Sequence, residues 1–273
     1  MMKSASDTPR LLIEARGPVE WVTLNRPDAL NALNPGMIED LRDYFLGLPD
    51  RRDVRIVVLR GAGRAFCAGL DLKNESSAND TASGGGVQRG LKTQRRIAEI
   101  VMAMRRCPQP IISLIQGAAC GGGFSLALAS DIRIAGESAR MNCAYIRIGL
   151  GGCDIGSSYF LPRLVGASLA AELILTGKFI SAERALRVGL VAQVVPDAGL
   201  EAAAQEDIDL MLTTSPLGLR MSKEALNINL DAGGIEAAIA LEDRNQILCA
   251  QTEDFREGLK SFLTRKPPVW KDA

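Results

Sequence analysis

Two glycine-containing segments of the chain could offer backbone N–H groups to an anionic ligand. They are RAFCAGLDL (64–72) and QGAACGGGFSLALASD (116–131). In the second segment Gly121, Gly122 and Gly123 introduce a short apolar helix, whose first amides lack partners within the helix and carry the positive end of its dipole. Because glycine lets a ligand approach closely, the sequence predicts an anion site here. The alternative is that the glycines only permit close packing of helix on strand.

The composition of the chain excludes several kinds of functional site. The chain has no histidine, which excludes a histidine general base, Ser-His-Asp and Cys-His arrangements and most zinc sites. Lysine plus arginine equals aspartate plus glutamate at 32 each, so no basic excess favours nucleic-acid binding. The sequence contains no run of about 18 apolar residues, so it predicts no membrane-spanning helix. The cysteines form no C-x-x-C pair and indicate reduced thiols in a cytoplasmic protein; they are Cys67, Cys107, Cys120, Cys143, Cys153 and Cys249.

Alternating strands and helices are predicted to position the two glycine segments. The apolar runs RIVVLRG (55–61) and PIISLIQG (110–117) have the length of strands buried on both faces, and each stands just before one segment. Residues 10–25 predict a hairpin, and Asn34-Pro35 predicts the start of a helix. Because strand and helix patterns alternate at least four times along the chain, the sequence predicts an α/β fold.

The pattern changes toward the C-terminus. From about residue 200 onward only helical patterns remain, so we expect a core over residues 1–200 and a helical region over 201–273. A chain of 273 residues that is 47% hydrophobic suffices for one large domain with such an appendage. The stretch 73–90, rich in Ser, Asn, Gly and Asp, offers little to bury and is the best candidate for a mobile loop.

The two glycine segments together resemble the signature of the enoyl-CoA hydratase/isomerase (crotonase) superfamily. WVTLNRPDALNAL, LTGKFISAERALRVGLVAQVVP and TEDFREGLKSFLTRKPPVW look like the same family, so the resemblance covers residues 11 to 270. It implies a spiral of ββα turns with a helical C-terminal extension that builds trimers, often paired into hexamers. It further implies an acyl-CoA thioester substrate, with coenzyme A entering as part of the substrate and no separate cofactor or metal.

The resemblance also implies an oxyanion hole made of two main-chain N–H groups. They belong to Leu70, after the glycine of the A-G-x-D segment, and to Gly122, the middle glycine of the triple. Residues 67–70, with Ala68, and 25–28 resemble the segments that hold coenzyme A. Arg26 and Lys260 are candidate phosphate partners, although a solvated charge is the favoured interpretation of each.

Acid–base groups are where this sequence departs from the hydratase pattern. Family hydratases carry two glutamates, one two residues after the triple glycine and the other twenty residues further on. Here those positions are Ser125 and Tyr145, which argues against hydration by a pair of carboxylates. Ser125 could at best hold a water. Tyr145 could donate a hydrogen bond to substrate or water, but a satisfied core tyrosine is the favoured interpretation.

Asp154 is the remaining candidate. In GLGGCDIGSSYFLPRLVG (149–166) it stands three residues before Ser157, as an aspartate that acts as base or nucleophile does in dienoyl-CoA isomerases and a dehalogenase of the family. Desolvation beside a buried acyl pocket would raise its pKa and suit it for proton transfer. It could also simply N-cap the following helix. Glu75 and Asp80, on the predicted mobile loop, could swing toward the pocket but are better explained as solvated charges.

The leading hypothesis is an enzyme that stabilises a thioester enolate through the amides of Leu70 and Gly122. Asp154 would then move a proton, giving double-bond isomerisation or, with a positioned water, hydration of an enoyl-CoA. One alternative is an acyl-CoA hydrolase or dehalogenase with Asp154 as nucleophile. The lack of histidine argues against it, because attack of water on the acyl-enzyme would need another base. Another is a CoA-ester-binding protein without turnover. RNA binding is known in one relative of the family, but this sequence has no basic patch with interspersed aromatic residues that would support it.

Overall fold

A six-stranded sheet forms the centre of the computed structural model, which describes residues 8–73 and 86–273. Its strand order is β1-β2-β3-β4-β6-β9, with β1 antiparallel to β2 and the other pairs parallel. The strands are β1 Leu11–Arg16, β2 Val19–Leu24, β3 Ile56–Gly61, β4 Ile111–Ile115, β6 Ile132–Gly136 and β9 Gln193–Val195. The hairpin and the two buried strands expected from the sequence are confirmed.

Helices on both faces of this sheet explain its continuous apolar strands. The order along the chain alternates strands with helices, which confirms the α/β class. The helices are α1 Pro35–Gly47, α2 Gly86–Arg106, α3 Gly122–Ala129, α4 Ser157–Val165, α5 Ala167–Thr176, α6 Ala182–Arg187 and α7 Leu200–Leu212. On one face Val57 and Leu59 join a core cluster with α1, α2 and α3, and on the other Ile56 and Val58 pack against α7.

The start of α1 shows how local sequence fixes an element. Asn34 is the N-cap, and its side chain accepts a hydrogen bond of 2.8 Å from the N–H of Met37, while Pro35 occupies the first helical position. Ile38, Leu41 and Phe45 are buried along one face of the helix. The predicted helix start is therefore confirmed.

A second, three-stranded sheet was not expected from the sequence. It consists of β5 Ala118–Cys120, β7 Arg140–Asn142 and β8 Ile180–Ser181. These strands have two or three residues each, too few to show a period of two. β5 lies between β4 and α3, so this small sheet positions the glycine triple.

Three further helices form the C-terminal part: α8 Pro216–Asn229, α9 Ile235–Ala250 and α10 Glu253–Thr264. α8 is fastened to the body by Lys223, which is 5% exposed. Its Nζ lies 2.8 Å from Asp131 and donates to the carbonyl oxygens of Gln109 at 2.7 Å and Met104 at 3.0 Å. Among the residues described, no helix is both long and apolar enough to cross a bilayer.

Candidate active site

The loop that follows β3 and the segment that leads into α3 lie side by side. The N–H of Cys67 donates to the carbonyl of Ala118 at 3.0 Å, and the N–H of Cys120 donates back to Cys67 at 3.0 Å. The same loop is held from the other side by the segment before α1, because the N–H of Leu33 donates to Gly69 at 2.7 Å and that of Asp71 donates to Leu33 at 3.0 Å. The two glycine segments predicted to act together are therefore adjacent.

Glycine is required at the contact between the segments. Gly69 has a φ of +95°, and a Cβ there would lie 2.7 Å from the carbonyl oxygen of Cys120 and 3.5 Å from the nitrogen of Gly122. A Cβ on Gly123 would lie 2.1 Å from the carbonyl oxygen of Cys67. Both distances to oxygen are shorter than real Cβ contacts allow, so the close approach of these backbones excludes any larger residue. The glycines therefore do permit close packing of the two segments. This packing role does not exclude the binding of an anion by the backbone N–H groups.

Two backbone donors remain without an acceptor at this junction. Neither the N–H of Leu70 nor that of Gly122 donates to any residue in the described ranges, 8–73 and 86–273. Their neighbours are used, since Ala68 donates to Leu30 and Gly121 donates to Asn142, each at 3.0 Å. Gly122 is the first residue of α3, so its N–H also carries part of the positive end of the helix dipole.

Ser125 and Tyr145 form a buried, uncharged pair. Ser125 Oγ and Tyr145 Oη lie 2.6 Å apart, and the two residues are 0% and 5% exposed. Burial raises the pKa of Tyr145 well above its usual value, the hydrogen bond with Ser125 offsets part of the rise, and the negative charge of Asp154 adds to it. Tyr145 therefore stays a neutral phenol. The core interpretation of Tyr145 agrees with this burial, and the phenol also contacts the glycine triple, because a Cβ on Gly121 would lie 3.3 Å from its ring.

Asp154 lies next to this pair, in the loop before α4. Its backbone carbonyl accepts from Ser125 Oγ at 3.4 Å, and the side chain of the following residue, Ile155, lies 3.5 Å from where a Cβ on Gly122 would be. If Ser125 donates to that carbonyl, Tyr145 must be the donor of the 2.6 Å bond. The chain thus brings Gly122, Ser125 and Tyr145 to one place with the loop that carries Asp154.

The capping role considered for Asp154 is wrong. α4 begins at Ser157, and its N-cap is Gly156, at a φ of +82° and with no side-chain cap. The carboxyl of Asp154 instead accepts from the N–H of Ile155 at 2.8 Å and from the side-chain amide of Gln94 on α2. Burial raises the pKa of Asp154, and these two hydrogen bonds oppose the rise.

The candidate phosphate partners have other contacts. Arg26 is not a solvated charge: its guanidinium donates to Asp71 at 2.7 Å and to the carbonyl of Ala32 at 2.5 Å, and its side chain is 19% exposed. This ion pair braces the loop that carries Leu70. Lys260 is exposed on α10 and pairs with Glu257 at 3.3 Å, as a solvated surface charge does. Glu75 and Asp80 lie outside the described residues, as do positions 74–85 of the predicted mobile loop.

Two clefts lie apart from this site. One of about 530 Å³ is lined by residues that include Arg51, Gln109 and, on α8, Lys223. Another of about 720 Å³ is lined by Arg60, Gln116 and Glu201. Neither contains Leu70, Gly122 or Asp154 among its lining residues. The chemistry of the donors and the carboxyl, rather than the size of a cleft, therefore locates the candidate site.

Known proteins that are similar to this chain belong to the family that its glycine segments resemble. The family model for enoyl-CoA hydratase/isomerase matches residues 14–273. A Mycobacterium bovis protein named probable enoyl-CoA hydratase echA12 is 35% identical over 263 residues, which cover 96% of this chain and 92% of that protein. The 1,2-epoxyphenylacetyl-CoA isomerase of Escherichia coli K12 is 34% identical over 250 residues, covering 92% and 94%.

Solved structures show the same fold. The enoyl-CoA hydratase of Bacillus anthracis superposes with a TM-score of 0.90 at 32% identity, over 97% of this chain and 100% of that one. The chain belongs to the enoyl-CoA hydratase/isomerase family. It is an acyl-CoA enzyme with the crotonase fold, as the resemblance of its glycine segments implied.

Proposed function

We propose that this enzyme moves a proton along the acyl chain of an enoyl-CoA, with Asp154 as its acid–base group. The N–H groups of Leu70 and Gly122 bind the thioester oxygen while it carries negative charge. Double-bond isomerisation is the reaction that these groups suit best. The observation that carries the proposal is the pairing of one half-buried carboxyl with an uncharged Ser125–Tyr145 pair at the two positions where family hydratases carry glutamates.

The oxyanion role draws support from the state of the two donors. A buried N–H group without an acceptor costs free energy, so native proteins seldom leave one unless a ligand or water completes it. Here two donors without an acceptor, on buried Gly122 and on partly buried Leu70, flank one backbone junction; the apolar side chains of Leu33 and Ile155 lie beside Gly122. An apolar surround strengthens the interaction of an N–H dipole with a developing oxyanion.

The proton route follows from this arrangement. The carboxylate of Asp154 takes a proton from a carbon of the acyl chain, so that a C–H bond breaks and an O–H bond forms. The electron pair moves into the thioester, whose oxygen gains charge at the two N–H groups. The carboxylic acid then returns the proton to a different carbon of the conjugated enolate, and the double bond has moved. One carboxyl suffices because it acts as base and then as acid.

Isomerisation is favoured over hydration by the contacts of Ser125 and Tyr145. Addition of water by the two-glutamate route needs two carboxylates around one water, and here both positions are neutral and hydrogen-bonded to each other at 2.6 Å. A relative of similar length is named as an isomerase of 1,2-epoxyphenylacetyl-CoA. That name supports proton or bond rearrangement on a CoA thioester as chemistry compatible with this scaffold.

We also propose that copies of this chain associate, as trimers or hexamers, through the C-terminal helices. α8, α9 and α10 expose large apolar side chains that water would otherwise cover: Leu226, Ile235, Ile247, Phe255, Phe262 and Leu263 are each at least half exposed. A second copy of the chain is the occupant that the family resemblance implies. All six cysteines are free thiols, which supports a reducing, cytoplasmic location. Coenzyme A enters only as part of the substrate, with no separate cofactor.

The test compares Asp154→Asn with wild type on 2-enoyl-CoA and 3-enoyl-CoA substrates. General acid–base catalysis contributes about 10²–10⁴-fold, so kcat for isomerisation should fall by that factor while the thioester still binds. Asp207→Asn on α7 is the matched control, because burial also raises the pKa of this half-buried carboxyl and it lies on another element. Its turnover should equal that of wild type.

Three outcomes would contradict the proposal. Full turnover by Asp154→Asn would remove the acid–base role of this residue. Tight binding of every CoA ester with no turnover by wild type would favour a binding protein. Release of free coenzyme A, or a covalent acyl-aspartate detected by mass spectrometry, would favour the hydrolase or dehalogenase alternative.

A further inference from the structure

The carboxyl group of Asp154 is held asymmetrically. Its Oδ1 accepts two hydrogen bonds, one from the N–H of Ile155 at 2.8 Å and one from the side-chain amide of Gln94. Its Oδ2 accepts none from any residue in the ranges 8–73 and 86–273. The two oxygens of the carboxyl therefore differ, because one is held by two donors and the other is available to a ligand.

The backbone beneath this carboxyl is equally constrained. The N–H of Asp154 donates to Ser157 Oγ at 3.0 Å, and its carbonyl accepts from the N–H of Ser157 at 2.9 Å. The next residue, Ile155, has a φ of +46°, an unusual conformation for a β-branched side chain. Gln94 is the contact that comes from outside this loop, 60 positions earlier in the chain, and it lies on the exposed face of α2.

We infer that Gln94 is a positioning residue for the reaction, which holds Oδ1 of Asp154 so that Oδ2 is the oxygen that takes and returns the substrate proton. This inference rests on the proposed function, since it assigns a role to the residue that orients the acid–base group. An amide suits the role because it donates to a carboxylate without taking a proton. α2 thereby sets the direction in which the carboxyl of Asp154 points.

The contact also sets the pH range over which Asp154 works. Burial raises the pKa of Asp154, and the donors on Oδ1 hold it down by favouring the charged form. Few other ionisable groups face this carboxyl: Tyr145, from the turn that follows β7, stays neutral, and Cys153 precedes Asp154 in its own loop. Within the described part of the chain, Asp154 forms no ion pair. Loss of the Gln94 donor should therefore raise the pKa of Asp154.

Two substitutions at Gln94 separate positioning from simple packing. Gln94→Met keeps the length of the side chain but removes the donor, and Gln94→Glu places a second carboxyl beside Oδ1. The acid limb of the kcat/KM–pH profile should move to higher pH by about one unit in Gln94→Met, the size expected for one hydrogen bond to a charged group. It should move further in Gln94→Glu, because like charges disfavour ionisation. Gln88→Met, on the exposed face of the same helix, is the matched control and should leave the profile unchanged.

The outcomes distinguish this inference from the proposed function. If Asp154→Asn loses turnover but both Gln94 variants keep the acid limb of wild type, the positioning role of Gln94 is wrong and the function stands. If Asp154→Asn turns over normally, the function fails, and this inference fails with it. Equal losses of kcat in both Gln94 variants with no movement of the pH profile would show a packing role only. The expected order of the acid limb, wild type below Gln94→Met below Gln94→Glu, supports the inference.

Discussion

The two halves of the candidate site are built by different means. The half that offers N–H groups, around Leu70 and Gly122, consists of backbone held against backbone, with glycines where a Cβ would meet an oxygen at 2.1 to 2.7 Å. The half that holds the proposed acid–base group, around Ser125, Tyr145 and Asp154, depends on hydrogen bonds made by side chains. In the first half, the residue type is fixed by the lack of room for a side chain. In the second half, it is fixed by the hydrogen bonds that the side chain makes.

This difference explains how one fold can support several reactions. Under the proposed function, a change of side chain at position 125, 145 or 154 would alter the acid–base groups while the two backbone donors stay where they are. A change at Gly69 or Gly123 would disturb the fold itself. This chain has glycines at the junction and a neutral pair at the two positions where the family resemblance implies glutamates in hydratases.

The largest effect is expected when the half built of backbone loses one of its two N–H donors. Gly122→Pro removes this donor, and because Gly122 is the first residue of α3, the missing N–H disturbs no helical hydrogen bond. We expect turnover to fall about 10²–10³-fold, or about 2.7–4 kcal/mol of transition-state stabilisation. Single-turnover kinetics would measure the loss.

Ala167→Pro is the control for that variant, because it makes the same change at the first residue of α5. It should fold and turn over as wild type does. If Gly122→Pro kept turnover within a few-fold of wild type while folding normally, the N–H of Gly122 would have no part in catalysis.

A second variant tests whether the glycine junction is needed for folding. Gly123→Ala would place a methyl group 2.1 Å from the carbonyl oxygen of Cys67, so we expect a loss of about 3 kcal/mol in the free energy of unfolding. Gly47→Ala, where a Cβ meets nothing within 4 Å, should be neutral or stabilising by up to about 1 kcal/mol. Urea denaturation measures both. Equal stability of the two variants would show that the junction tolerates side chains.

The smallest effect concerns the cost of keeping Asp154 half-buried. Because its folded-state pKa is raised above the ordinary value of 3.8, its contribution to stability is complete below that value and is lost as pH rises through the folded-state pKa. Asp154→Asn should therefore gain stability over wild type as the pH rises from about 4 toward 8. Urea denaturation at several pH values would measure the difference.

Asp53→Asn is a control of opposite sign. The hydrogen bond from Arg51 lowers the pKa of Asp53, so this variant should be the less stable one at neutral pH, with a difference that shrinks as pH falls through the pKa of Asp53. A constant stability difference between Asp154→Asn and wild type at all pH values would show that the carboxyl of Asp154 bears no burial cost.

The parts of the fold that could be predicted are those with signals in consecutive residues. The cap at Asn34, the apolar face of α1 and the buried runs of β3 and β4 follow from short-range patterns. The small sheet of β5, β7 and β8 does not, because its pairings join residues far apart and its strands are too short to show a period.

The site divides in the same way. The glycine segments and Asp154 were predicted from the sequence, through their resemblance to a family. The bond between Ser125 and Tyr145, the ion pair of Arg26 with Asp71 and the contact of Gln94 with Asp154 span 20, 45 and 60 positions. No local pattern encodes such pairs. The capping role of Asp154 was a reasonable local expectation, and it was wrong because the left-handed turn at Gly156 starts α4 without a side-chain cap.

The buried ammonium of Lys223 has a consequence for assembly. Withdrawing α8 from the body would leave the carboxylate of Asp131 without this partner and two carbonyl groups without their donor. In the trimers or hexamers proposed above, subunit exchange or domain swapping would therefore hinge beyond residue 229, and each protomer would retain its own α8.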